Sequence, residues 1–139
     1  MIKYLIDTSA VHRFFQAPDL YPAWRTVLTR GEVGIIPPVE YEICFSARKA
    51  SDRTRLLGQL GKLFTETIPG PAAYQAGRDM QETLTTKGAH RSCGPVDLLL
   101  AGTAHVENLA VLHVDKDYAT LARFWPSLRQ VRMDTERPL

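Results

Sequence analysis

Cysteine is scarce in this chain, and its two copies, Cys44 and Cys93, stand far apart. That excludes a disulfide framework and a thiolate zinc site, both of which need several cysteines at short spacings. Charge is not skewed either. Seventeen basic against fifteen acidic side chains leave a formal +2 over 139 residues, which excludes a disordered polyelectrolyte. No apolar run approaches the ~20 residues of a membrane helix. The stretch from Ile2 to Ile6 is too short for a secretory segment and is ended by Asp7. The expected location is the cytoplasm. Repeats, low-complexity segments and interdomain linkers are absent as well.

What the chain does have is an ordinary apolar share and enough length for one domain, which buries roughly 68% of the unfolded surface. Short β-rich runs at 1–6, 33–36, 63–68, 110–114 and 128–133 alternate with helical patterns. The helices are expected from Asp7–Ala10 up to Pro18, then over 22–29, 38–50, 52–61 and 71–87, from Pro95 onward, and over 117–124. Such alternation argues for an α/β fold with a parallel sheet. Residues 1–133 are expected to form one domain and 134–139 a frayed or partner-dependent tail. Tyr4, Phe14, Phe15, Trp24, Phe45 and Trp125 fall in apolar patterns and are assigned to packing, and Cys44 is read as a core thiol. Phe14, Phe15 or Tyr41 could alternatively flank a groove for a partner helix.

Three acids share one kind of position. Asp7 follows the first strand, Asp115 follows the strand at 110–114, and Asp97 lies in the first turn of the helix opened by Pro95. Acids at strand ends and helix starts can converge in the crevice of an open α/β sheet. Glu42 borders the apolar stripe of Val39, Ile43 and Ala47 and can reach the same place. Glu40 points about 200° away at the helical rotation and takes no part. Like charges held together oppose one another, so a divalent cation resolves the cluster. An all-oxygen set suits magnesium or manganese. Such a site hydrolyses phosphate esters, as a phosphatase or a nuclease. The competing reading makes Asp7 and Asp97 helix caps and leaves Glu42 and Asp115 solvated.

The segments Tyr4-Leu-Ile-Asp7-Thr-Ser-Ala10, Pro37-Pro-Val-Glu-Tyr-Glu42-Ile-Cys-Phe-Ser-Ala-Arg48, Gly94-Pro-Val-Asp97-Leu-Leu-Leu-Ala101 and Val111-Leu-His-Val-Asp115-Lys-Asp-Tyr118 follow one another in a specific order. In that order the chain resembles PIN-domain proteins, and among them the VapC-type toxin ribonucleases of bacterial toxin–antitoxin pairs. The resemblance runs from the start through about Phe124. It implies a three-layer α/β/α fold around a central, mostly parallel five-stranded sheet. It also implies a magnesium-dependent endoribonuclease (manganese as a substitute), homodimerisation, and restraint by a VapB-type antitoxin. Transfer RNA is among the substrates it suggests. The family's acids carry over to Asp7, Glu42, Asp97 and Asp115, with Asp117 as the alternative to Asp115. A hydroxyl near the first acid is Thr8 or Ser9. Tyr118 stands where the family often has phenylalanine.

Asp7 and Asp97 are accordingly assigned as the main metal ligands, with Glu42 and Asp115 completing the pocket through water. Basic groups cluster at Arg48, Lys49, Arg53 and Arg55 and again near the end of the chain. Arg13, Arg48 and Arg91 are the candidate phosphate contacts, with Arg78 and Lys87 as possible flanks of the groove. Two rivals remain. His90, His105 and His113 could support metal-free acid–base cleavage. A PIN-like module that binds RNA or protein without turnover is the other.

Overall fold

Tyr4, Leu5 and Ile6 show no polar–apolar alternation, which is what a strand covered on both faces requires, and all three are buried. They form β1 (Tyr4–Ile6), the middle of a five-stranded sheet in the order β3-β2-β1-β4-β5. The other strands are β2 (Val33–Ile35), β3 (Thr65–Glu66), β4 (Ala110–His113) and β5 (Arg129–Arg132). Every neighbouring pair is parallel, with Tyr4 opposite both Val33 and Ala110. This arrangement comes from a computed structural model that describes residues 1–139.

Seven helices connect the strands: α1 (Thr8–Gln16), α2 (Tyr21–Thr29), α3 (Pro37–Cys44), α4 (Ala50–Leu63), α5 (Pro71–Thr86), α6 (Pro95–Glu107) and α7 (Lys116–Phe124). Crossovers of one hand, running in opposite directions from the middle of the sheet, put helices on both of its faces. The chain is thus α/β in three layers, as expected. Strand order reverses between β1 and β4, and the crevice at that switch point lies beyond Ile6 and His113. No helix is long and apolar enough to cross a membrane.

The close approach of α5 and α6 sets where α6 begins. A Cβ on Gly102 would lie 2.4 Å from the Ala73 carbonyl oxygen, and one on Gly77 would lie 3.3 Å from that of Leu98. Two hydrogen bonds tie the end of the chain to the fold. The Trp24 indole donates to the Met133 carbonyl, and the Leu139 N–H donates to the Tyr4 hydroxyl.

Several expectations need correction. The helix expected over 38–50 ends at Cys44, where the Ser46 and Ala47 N–H groups bond three residues back, to Ile43 and Cys44, and the Ser46 hydroxyl also donates to the Ile43 carbonyl. Ala47 therefore does not continue the apolar stripe, Cys44 is half-exposed, and Phe45 is 91% exposed. Lys49 is extended, and a fresh helix starts at Ala50. Phe15 is exposed, whereas Phe14 is buried. Between α5 and Gly94, His90–Ser92 make a 3-10 turn. The tail is tied down too, with Asp134 bonded to Arg13 and Arg132.

Candidate active site

Asp7, Glu42, Asp97 and Asp115 come together at the carboxyl end of the sheet's middle strands. Asp7 follows β1 and N-caps α1, accepting the Ala10 N–H at 3.0 Å. Asp115 follows β4 and N-caps α7 through the Asp117 N–H at 2.9 Å. Because β1 and β4 are neighbours, the two caps stand side by side. The capping reading of Asp7 is therefore correct, yet the same geometry turns that carboxylate into the crevice. Asp97 occupies the third position of α6, where its Oδ2 accepts the Gly94 N–H at 3.2 Å and its Oδ1 the Tyr118 hydroxyl at 3.0 Å.

Electrostatics bind the set into one group. Burial pushes the Asp7 carboxyl up to about 7; bonds from Ser9 and Ala10 oppose this, and the charges of Asp97 and Asp115 add to it. Asp97 is raised by burial as well, with Asp115 and Glu42 contributing and the Tyr118 and Gly94 bonds opposing. Burial raises Asp117, which also feels Asp115. Glu42 is exposed at the rim, held to the Thr8 hydroxyl at 2.6 Å. Glu40 instead has Glu66 and Arg53 as its charged neighbours, in keeping with its rotation away.

The hydroxyl residues divide the supporting work. Thr8 reaches Glu42, while Ser9 donates to Asp7 at 2.8 Å and accepts the Val114 N–H at 3.2 Å. Ser9 thereby stitches the end of β4 to the first acid. His113 is locked in place: Nδ1 accepts the Asp115 N–H, and Nε2 lies 2.5 Å from Gln130 Oε1. That arrangement suits a neutral ring donating from Nε2, and burial holds its pKa below the ordinary value. His90 is exposed, and His105 packs edge-on against Trp125. The histidines do not form a catalytic pair.

Cys93 is buried beside the acids, and burial plus their charges push its thiol up to about 12. Of the basic candidates, Arg91 and Arg48 are exposed and make no ion pair, whereas Arg13 bonds to Asp134 at 2.9 Å. Sequence reasoning did not foresee the Tyr118 bond to Asp97. A tyrosine in an apolar helix slot three residues after an acid was its only signal.

No three acids, histidines or cysteines close around one point as a finished metal cage. The donor set still fits a hard divalent cation. It is all oxygen, Asp7 is buried under mutual repulsion, and none of the four acids is paired with lysine or arginine. Magnesium bound through one or two carboxylates and several waters needs no cage. By this donor chemistry, Asp7 and Asp97 are the residues that would hold it.

Known proteins share both the sequence and the shape. The PIN domain model matches residues 4–124. Ribonuclease VapC2 of Mycobacterium tuberculosis (strain CDC 1551 / Oshkosh) is 34% identical over 122 residues, covering 86% of this chain and 85% of that one. Ribonuclease VapC21 of the same strain is 31% identical over 121 residues, covering 86% of each. Among solved structures, DNA-bound VapBC from Salmonella typhimurium superposes with a TM-score of 0.77 at 18% identity, covering 96% of this chain and 99% of that one. VapBC-1 from nontypeable Haemophilus influenzae gives 0.78 at 16%, covering 97% and 100%. The structures agree in fold, the relatives in sequence across nearly the whole domain, and the chain belongs to the PIN-domain family, among its VapC-type members.

Proposed function

We propose that the protein is a metal-dependent endoribonuclease and the toxin of a toxin–antitoxin pair. The observation that carries this reading is the gathering of Asp7, Asp97, Asp115 and Glu42 at the β1–β4 switch point with no basic partner among them. The relatives named ribonuclease VapC supply the substrate class. A divalent cation, when bound there, lowers the pKa of water and offsets the charge of the phosphate.

The chain's own residues do the rest. Asp7 and Asp97 would hold the cation. Glu42, tethered by Thr8, and Asp115, fixed as a helix cap, orient the attacking water and receive its proton. The water oxygen attacks phosphorus in line with the ribose 3′ oxygen, whose bond breaks and which takes up a proton from solvent. The products are a 5′-phosphate and a 3′-hydroxyl, and the 2′-hydroxyl takes no part. Arg91 and Arg48, exposed and free of ion pairs, meet the RNA backbone in this reading.

A VapB-type antitoxin and a second copy of the chain complete the reading. Solved structures that share this fold at high coverage include VapBC complexes. On this chain, Tyr41 and Phe45 stand 67% and 91% exposed, lining with Pro38, Glu42 and Val96 a cavity of about 430 Å³ beside the site. A partner segment laid there would cover apolar surface and block access to Glu42.

The decisive experiment sequences RNA ends after brief induction of the wild type and of Asp7→Asn and Asp97→Asn. Cleavage that needs magnesium, leaves 5′-phosphates and vanishes in both folded variants is the expected result. Full activity in folded D97N would end the nuclease reading. RNA bound without turnover by the wild type would favour the non-catalytic module instead.

A further inference from the structure

Asp97 is anchored at both carboxylate oxygens by uncharged donors, the Tyr118 hydroxyl on Oδ1 and the Gly94 N–H on Oδ2. Asp7 also has polar bonds to neutral groups, but Asp97 alone among the four acids is held by a side chain from another helix that is itself buried. Tyr118 is 1% exposed, and its ring lies 5.0 Å from that of His113. His113 is in turn fixed at both nitrogens, by Gln130 of β5 and by the Asp115 N–H. A relay of packed and bonded groups thus runs from β5 through β4 and α7 to the carboxylate on α6.

The physical consequence lies in the torsion of the carboxylate. Rotation about that last bond is broad and soft, so an untethered aspartate spreads its oxygens over an arc. With both oxygens held, the lone pairs that remain point in fixed directions, and a carboxylate has capacity to spare for a cation beyond two hydrogen bonds. The donors are neutral. They orient Asp97 without cancelling the charge a cation needs, which an arginine or lysine in the same place would do.

We propose that Tyr118 is a positioning residue: its hydroxyl sets the orientation of Asp97 for divalent-cation binding. This rests on the metal-dependent reading above. The plainer account is that a buried tyrosine hydroxyl needs some acceptor and Asp97 happens to supply it. That account predicts a cost in stability on losing the hydroxyl and no change in affinity for metal. Phenylalanine separates the two, because it keeps the ring packed on His113 and removes only the hydroxyl.

The test is manganese binding to the RNA-free protein, followed by electron paramagnetic resonance of the free ion at fixed pH, for wild type and Tyr118→Phe. Outer partners of metal ligands typically tune affinity by 10–100-fold, and roughly tenfold weaker binding is expected here. The magnesium concentration for half-maximal cleavage should rise by the same factor, with kcat at saturating magnesium within about twofold of wild type. Equal manganese affinities in two folded proteins overturn the proposal. A wild type that binds no manganese overturns the metal-site reading itself, and this proposal with it. Should Y118F fail to fold, wild type with ¹³Cζ-labelled tyrosine decides: the Tyr118 resonance must move during a magnesium titration, and a resonance unmoved at saturation overturns the assignment.

Discussion

Thr8 donates its hydroxyl to Glu42 Oε1 at 2.6 Å, joining the first turn of α1 to α3 across 34 positions of sequence. The bond matters because Glu42 is exposed and has no burial to hold it. Thr8→Val should leave the charge and untether it, lowering kcat/KM by roughly tenfold through loss of orientation. Glu42→Gln keeps an acceptor for Thr8 and removes the charge, and should cost about 100-fold or more. Both sites are open enough that stability should change by under about 1 kcal/mol. Steady-state cleavage of one labelled RNA, alongside melting curves, checks the order. T8V falling further than E42Q would contradict it.

Asp7 makes the metal-free protein pH-sensitive. Its carboxyl is pushed from an ordinary 3.8 up to about 7, with burial the largest cause. Between those values the folded chain binds more protons than the unfolded one, so stability is fullest below about pH 4 and declines as pH rises toward 7. The decline from this group is at most ~4 kcal/mol. His113, held below its ordinary value first by burial, acts with the opposite sign, since its contribution is lost as pH falls. Asp7→Asn isolates the acid's part, because asparagine still caps α1. In chelator, D7N should melt higher than wild type at pH 7.5 and show a flatter profile from pH 4 to 7. Parallel profiles would refute the assignment.

Magnesium should raise the melting temperature of the wild type more at pH 7.5 than at pH 5, since the cation competes with the protons that Asp7 and Asp97 take up. D97N should lose most of that increment at both pH values. An equal magnesium effect in wild type and D97N would place the ion elsewhere.

The order of strands and helices was legible because each signal was local. Tyr4-Leu-Ile runs straight into Asp7 and Ala110-Val-Leu stands three residues before Asp115, while Gly31 and Gly88 stop helices with positive φ. Asp7, Asp97 and Asp115 were legible for the same reason, since each sits beside an element boundary, whereas Glu42 was read from its place beside the apolar stripe of its helix. What was not legible depends on partners distant in sequence. The break after Cys44 turns on a serine hydroxyl competing for a helix carbonyl, and nothing in the Val39–Ile43 stripe foretells it. The fate of Arg13 turns on Asp134, 121 positions away. The neutral anchor on Asp97 needs α6 and α7 placed in space before Tyr118 means anything.

Gly102 tests the packing that positions Asp97. A methyl there would meet the Ala73 carbonyl oxygen at 2.4 Å and the Gly77 nitrogen at 2.9 Å, both of them backbone atoms of a helix that must then move. Gly102→Ala should destabilise by about 1–3 kcal/mol, the usual cost of overpacking, despite alanine's better helix propensity. Gly58→Ala is the control, since nothing lies within 4 Å of its added methyl, and it should be neutral or slightly stabilising. Urea denaturation of the two variants checks the contrast, and equal midpoints would show that α5 and α6 are not so tightly opposed.

The basic residues separate by whether they already have an anion. Arg13 bonds to Asp134, which also takes Arg132, so its charge is spent inside the fold. Arg91 is exposed in the turn that leads directly into Gly94 and α6, and it has no acidic partner. Its free guanidinium is placed to release a counterion on meeting a phosphate. Arg91→Ala should therefore weaken RNA binding across sequences and lower the slope of log affinity against log salt by about 0.7, the single-strand value for one phosphate. Arg13→Ala should leave that slope unchanged and cost at most ~1 kcal/mol of stability, since its ion pair is partly solvated. Fluorescence anisotropy at several salt concentrations, in a D97N background that does not cut the RNA, measures both. Equal loss of slope in the two variants would mean that RNA draws Arg13 away from Asp134, and that the tail moves when the substrate binds.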